Sequence, residues 1–191
     1  RISNPMKEFI HLHNHTHYSL LDAICTVDGL VNAAAENKMP AVAITDHGVM
    51  YGAMEFYNKC KSKGIKPILG FEAYVAQGSS RFDKTKRSDY AADVIDTENS
   101  DGLSVTNINY AHLILLAKNE TGYRNLLKLN SIGHLEGFYY KPRIDLEVLE
   151  KYKEGIIALS ACAGGVISCY IVRDNMAKAK EMTGKYKDIF G

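Results

Sequence analysis

Short apolar runs alternate with helical patterns along most of this chain, and that alternation limits the possible folds more than any other feature. Strand-like runs fall at residues 9–13, 41–45, 67–75, 112–117 and 155–160. Each is apolar at odd and even positions alike, as expected of strands covered on both faces in a parallel sheet. Thr26 is placed to cap a helix through Leu30, Val31 and residues 33–35, which stops before Pro40. A second helical pattern covers residues 52–62 and ends at Gly64, a C-cap residue. Further helices are expected at residues 122–135, 146–152, 165–172 and 175–189. The result is a strand–helix rhythm, hence an α/β fold with right-handed crossovers. Residues 77–110 break the rhythm. They are rich in Ser, Asp, Asn, Thr and Lys, and read as a surface insertion or a disordered loop within one domain.

Bulk properties exclude little. A length of 191 residues suits one domain with a real core. No apolar stretch approaches a membrane span, and no secretory signal precedes the first strand; the residues before Met6 carry no fold information. A formal net charge of +1 neither demands nor forbids a polyanionic partner. Cys25, Cys60, Cys162 and Cys169 are too scattered for a disulfide framework, so a reducing, cytoplasmic setting is expected.

The chemistry gathers where the strands end. Four of the seven histidines lie at His11, His13, His15 and His17. Side chains two apart on an extended strand share a face, so His13 and His15 aim two imidazoles at one point. Asp22 follows. The second strand ends in Thr45-Asp46-His47-Gly48, the third carries Glu72, the fourth starts at His112, and the fifth leads to Cys162. Functional groups of parallel α/β folds collect at strand carboxyl ends. Glu72 and His112 lie within their strands and must face inward to join. Imidazole, carboxylate and thiolate together make a transition-metal site, and the donors outnumber the four that one zinc needs.

Taken singly, the same residues have blander readings. His112 alone is a hydrogen-bonded core histidine, Cys162 a small buried hydrophobe, Asp22 a turn or cap residue, and Glu72 a paired buried charge. Asp46 is expected to bond a neighbouring backbone or a ligand imidazole rather than a metal. His11, His17 and His134 are not expected to be ligands. Lys141 and Arg143 are phosphate-binding candidates, or else solvated loop charges.

The ordered series resembles one family. The segments are His-Leu-His-Asn-His-Thr-His-Tyr-Ser-Leu-Leu-Asp at 11–22, Ala-Ile-Thr-Asp-His-Gly at 43–48 and Gly-Ile-Lys-Pro-Ile-Leu-Gly-Phe-Glu-Ala-Tyr-Val at 64–75. They continue with His-Leu-Ile-Leu-Leu-Ala-Lys-Asn at 112–119, Thr-Gly-Tyr-Arg-Asn-Leu at 121–126, Gly-Phe-Tyr-Tyr-Lys-Pro-Arg-Ile-Asp at 137–145 and Gly-Ile-Ile-Ala-Leu-Ser-Ala-Cys at 155–162. Together they resemble the PHP (polymerase and histidinol phosphatase) domain, in the form found at the N-terminus of bacterial replicative DNA polymerases. The resemblance implies a distorted (β/α)7 barrel with up to three divalent metals in its mouth, zinc foremost, with manganese, magnesium or iron as alternatives. It assigns His13, His15, Asp22, His47, Glu72, His112 and Cys162 as ligands. It also calls for a late Asp-x-His pair, which no residue after Cys162 supplies. The chain is therefore expected to stop before its last barrel strands, or to belong to a longer polypeptide. The implied activity is metal-dependent hydrolysis of phosphodiesters at a DNA 3′ end, within a DNA-directed DNA polymerase that works with DNA and other replicative subunits. Two alternatives come with the resemblance. One is a non-catalytic domain that binds a proofreading exonuclease. The other is a stand-alone phosphomonoesterase of the histidinol phosphatase type.

Overall fold

The computed structural model describes residues 9–76, 80–84 and 110–191. Its elements are α1 (Val27–Glu36), β1 (Ala41–Ile44), α2 (Ala53–Ser62), β2 (Lys66–Ala76), β3 (Tyr110–Ala117) and α3 (Glu120–Leu135), then β4 (Phe138–Tyr139), β5 (Lys141–Ile144), α4 (Leu146–Lys151), β6 (Ile156–Leu159), α5 (Val166–Val172) and α6 (Met176–Phe190). The helices start where short polar side chains offer an acceptor to the free N–H groups of a first turn. Thr26 accepts from Gly29 N at 3.0 Å, Asn119 from Gly122 N at 2.9 Å, and Asn175 from Lys178 N at 3.1 Å. Helix α2 begins instead at Gly52, against which the Tyr18 ring lies so closely that a Cβ would sit 2.8 Å from it. It is followed by Gly64 at φ +70°, the left-handed residue that ends a helix cheaply.

The class is α/β, but the sheet is mixed rather than parallel. Its strand order is β4-β5-β2-β3-β6, with β1 paired to β2. Strands β1 and β5 run parallel to β2, whereas β3 is antiparallel to both β2 and β6. The physical reason lies in the connection. A parallel neighbour needs a crossover, usually a helix, and the stretch between β2 and β3 has no helical periodicity in its sequence. Apolarity on both parities reports coverage of both faces, not strand direction. Two further expectations are corrected. Residues 9–13 form no assigned strand, although the opening segment runs beside β1 through Ala43 N to His11 O and Thr45 N to Asn14 O, both 2.9 Å. The short β4–β5 hairpin was not expected at all. Of the 77–110 excursion, residues 77–79 and 85–109 lie outside the described residues.

Alternation along β2 and β3 decides which side chains reach the site. Phe71, Ala73 and Val75 of β2, with Leu113 and Leu115 of β3, join the main core under Leu126 and Leu129 of α3. The opposite parity, Glu72 and Tyr74 with His112, Ile114 and Leu116, faces the other side, where Ile114 and Leu116 pack with Ala43. Glu72 pairs with Ile114 and Tyr74 with His112 in the ladder, so Glu72 and His112 share one face. A second core under α1 and α2, including Val31, Val42, Ile44 and Phe56, backs β1.

Candidate metal centre

Glu72 is the hub. Its carboxylate is wholly buried, and four imidazoles close on it. His13 Nε2 and His15 Nε2 lie 3.2 and 3.0 Å from Oε2, His47 Nδ1 lies 3.2 Å from the same oxygen, and His112 Nδ1 lies 2.9 Å from Oε1. Burial pushes this carboxyl upward, but hydrogen bonds from His112, His13 and His15 outweigh it and hold the group well below the usual carboxylate range. Burial lowers the pKa of His47, opposed by the attraction of Glu72 and helped by repulsion from His15. A neutral imidazole beside an ionised carboxylate is the protonation state a metal ligand needs.

Backbone pairing sets these side chains. Beyond β1 the chain continues as a parallel bridge, with Glu72 N donating to Asp46 O at 3.0 Å and Gly48 N to Glu72 O at 2.8 Å. This fixes His47 beside Glu72. His112 N donates to Gly164 O at 2.9 Å, which draws the loop after β6 toward β3 and brings Cys162 with it. Cys162 Sγ lies 3.8 Å from Glu72 Oε1 and 3.6 Å from His112 Nδ1.

The donors fall into two groups that share Glu72. One is His13, His15 and Glu72; the other is His47, Glu72 and His112. Within each, the ligand atoms lie within 4.8 Å of one another. His13 Nε2 and His15 Nε2 are 2.9 Å apart. Two nitrogens bound to one tetrahedral zinc sit about 3.3 Å apart, so the pair is set close to a metal's bite. His15 Nδ1 and His47 Nδ1 are buried without a hydrogen-bond partner. The 3.2 Å contact of His47 Nδ1 with Glu72 is therefore proximity without hydrogen-bond alignment. An orphaned ring nitrogen aimed at a shared carboxylate suits a cation. The residues fit divalent metals, at least one per group.

The remaining expected residues sit around this hub. Asp22 reaches the other nitrogen of His47, with Oδ2 at 2.5 Å from Nε2, outside both groups. There it accepts from Nε2–H and leaves the Nδ1 lone pair facing Glu72. Asp46 does not enter the cluster. It is buried and accepts from Thr16 N at 2.6 Å, Thr16 Oγ1 at 2.8 Å and Ser19 Oγ at 2.7 Å, while Ser19 Oγ accepts from His47 N at 3.1 Å. It therefore ties the loop bearing His15 and Asp22 to the turn bearing His47. Arg143 is not brought to the centre either. Its guanidinium is fully buried and donates to the carbonyls of Gly137, Arg81 and Asp83. Lys141, two residues earlier on the same face of β5, is exposed, with Nζ 5.4 Å from the Tyr74 ring centroid. His11 and His17 stay outside the two groups.

Sequence reasoning missed several supports. The Tyr74 ring lies 6.0 Å from that of His47 and 5.3 Å from that of His112, and forms one wall. Its place two residues after Glu72, on the same strand face, was the available signal. Asn130 Nδ2 and His134 Nε2 both bond Gly48 O, at 2.8 and 2.9 Å, and brace the His47 turn from α3. Nothing local in the sequence marks that contact.

Known proteins resemble this chain in sequence. The chain is 48% identical over 186 residues to DNA polymerase III subunit alpha of Aquifex aeolicus (strain VF5), covering 97% of this chain and 15% of that protein. It is 47% identical over 183 residues to the same subunit of Borreliella burgdorferi, covering 96% and 14%. The chain thus spans about a seventh of the length of these relatives. Among solved structures, an amidohydrolase from Chromobacterium violaceum is similar at 17% identity and a TM-score of 0.38, over 64% of this chain and 33% of that one. The family model for the PHP domain matches residues 11–191, from the first histidine of the opening cluster to the last residue, and the chain belongs to the PHP domain family.

Proposed function

We propose that this chain is the N-terminal PHP domain of a bacterial replicative DNA polymerase, DNA polymerase III subunit alpha, and that its metal centre hydrolyses phosphodiesters at a DNA 3′ end. The observation that carries the reading is Glu72, one buried carboxylate shared by two groups of imidazoles. A shared carboxylate suits a multinuclear centre, and such centres serve phosphoryl chemistry. The relatives support the polymerase context, and the whole protein's DNA synthesis is part of the proposal.

His13, His15, Glu72, His47 and His112 would hold the metals, up to three in all, with Asp22 and Cys162 at the margins. Cys162 favours zinc at its own position because thiolate is a soft donor. Divalent metals bound there supply Lewis acidity and a water of lowered pKa. The chain's own residues do the rest. Asp22 fixes the His47 tautomer, Asp46 holds the two ligand-bearing loops together, and Tyr74 walls off one side. Lys141 is the exposed cation on the Glu72 face of β5 and is placed to offset phosphate charge. Arg143 supports Lys141 by holding the hairpin rather than by touching phosphate. The partners in this reading are DNA, other replicative subunits and a separate proofreading exonuclease, in the cytoplasm. Among the described residues, no helix is long and apolar enough to cross a membrane.

The test is elemental analysis of the full-length protein, joined to release of the 3′-terminal nucleotide from an oligonucleotide without nucleoside triphosphates. Several metals per chain, with release lost in His13→Ala, is the expected result. A protein that binds no metal overturns the hydrolytic reading and leaves a scaffold for the exonuclease.

A further inference from the structure

The loop that carries Asp22 has an unusual surface. Leu20 is 76% exposed, Ile24 is 97% exposed, and Leu21 stands wholly in solvent. These three apolar side chains bracket a carboxylate that touches His47. Leu21 also holds φ at +65°. A side chain there strains the backbone, whereas Gly or Asn would make the same turn easily. Strain of this kind persists where the surroundings impose it, and it gathers at functional sites.

The loop is fastened, not loose. His17 N donates to Cys25 O at 2.7 Å and closes its base. Asp22 N and Ala23 N both donate to Ser19 O, at 3.0 and 3.1 Å. Ser19 Oγ and Thr16 are in turn locked to the buried Asp46. The apolar tips are therefore presented on a rigid support at the edge of the metal centre. Asp22 meets the Nε2 edge of the His47 ring, while Tyr74 stacks on the face of that ring, with Lys141 Nζ near Tyr74. The two sides differ in chemistry: apolar surface on the Asp22 side, a cation on the Tyr74 side. A terminal nucleotide has the matching pair, a flat base and an anionic phosphate. Leu and Ile are side chains that proteins insert against or between bases.

We propose that Leu20, Leu21 and Ile24 form a lip that seats the base of the 3′-terminal nucleotide of a DNA strand, while Lys141 faces its phosphate. The proposal rests on the phosphodiester reading above and names the part of the substrate that the site grips. It requires an unpaired terminal base, because a base stacked in a duplex cannot lie on the lip.

The experiment uses the full-length protein and two single-stranded oligonucleotides, one with an ordinary 3′-terminal nucleotide and one whose 3′ residue is abasic. The variants are Leu20→Ser and Leu21→Asn. The Asn variant keeps a side chain tolerated at positive φ, so the loop retains its shape. Wild type is expected to show a KM about tenfold lower for the base-bearing end, the worth of burying roughly one aliphatic side chain. Each variant is expected to lose most of that preference with kcat on the abasic end unchanged. Equilibrium binding of both oligonucleotides to chelator-treated protein repeats the comparison without turnover. A wild type indifferent to the base in both measurements, or variants that keep the preference, overturns the lip while leaving hydrolysis standing. Absence of hydrolysis with the binding preference intact removes the catalytic reading and keeps the lip. Variants that change assembly state in light scattering but not base preference make the patch a protein contact, and the proposal fails.

Discussion

Glu72 concentrates the chemistry of the site in one side chain. A buried carboxylate is costly unless charge or hydrogen bonds compensate it, and the imidazoles of His13, His15 and His112 do so here. Glu72→Gln keeps the shape but removes the charge from both groups at once. We expect it to lower metal content at both, whereas His112→Ala should spare the His13–His15 group; metal per chain after dialysis distinguishes the two variants. Leu21 gives an opposite prediction for stability. Relieving its positive φ with Leu21→Gly or Leu21→Asn should stabilise the loop by about 1 kcal/mol, read as a higher urea midpoint for the chain. Much at this level was legible from sequence. His13, His15, His47, Glu72 and His112 stood out because imidazoles and a carboxylate recur in or just after the apolar runs, where so many have few other uses. Asp22 was legible as a participant but not in its role, because only the fold shows which nitrogen of His47 it meets. Arg143 was misleading: its charge suggested phosphate, and only the fold shows the side chain buried, with Nε and Nη2 bonded to three carbonyls.

The helices were the most legible elements, since Thr26 stands as a cap just before apolar periodicity and the later helical patterns fall on α3 to α6; the caps Asn119, Asp145 and Asn175 emerge only in the fold. Strand direction was not legible, because β3 is as apolar as its neighbours and only its antiparallel pairing reverses it. The β4–β5 hairpin escaped notice because β4 is only two residues long. Turns that join elements carry a sharper prediction. Gly48 has φ +63°, and a Cβ there would lie 2.8 Å from Pro142 Cγ and 2.9 Å from the Tyr74 ring. Gly48→Ala should cost about 1–3 kcal/mol and reduce metal content chiefly in the His47 group, since the strain falls on that turn. Hydrogen exchange of the β2 amides with metal titration checks both effects. Asp145 links elements differently. It caps α4 through Val148 N at 3.3 Å and pairs with the nearly buried Arg81, whose Nη1 lies 3.1 Å from Oδ2. Asp145→Ala should cost about 1–3 kcal/mol, since it removes the α4 cap and the buried carboxylate beside Arg81, which keeps Glu136 and Glu147.

The sheet, the helices behind it and the candidate metal centre form one energetic system, because β2 and β3 carry core residues on one parity and the candidate ligands Glu72 and His112 on the other. Metal bound only by the folded chain stabilises it by mass action, about 2.7 kcal/mol at a hundredfold excess over Kd. Acid should undo this in a defined order. Glu72 is held below the usual carboxylate range, so the stability it contributes is present above an ordinary carboxylate pKa of about 4.3 and disappears only as pH falls through its lowered folded value. The imidazoles act first. A metal ligand must be neutral, and ordinary histidine protonates near 6.5. His47 is shifted downward by burial, so its contribution is complete above that ordinary value and declines as pH falls below it toward the folded value. Both effects have the same sign, but the imidazoles titrate first, so metal is lost as pH falls below about 6.5, well before Glu72 is protonated. Amide protection in β2 and β3 of the full-length protein, followed with and without chelator, tests this. At pH 8 the chelator should lower protection in both strands together. At pH 5 it should change nothing, because the metal has already left. A chelator effect of equal size at both values would mean that carboxylates, not imidazoles, hold the metal, and Glu72 would then have to share its charge with acidic groups rather than with His13, His15, His47 and His112.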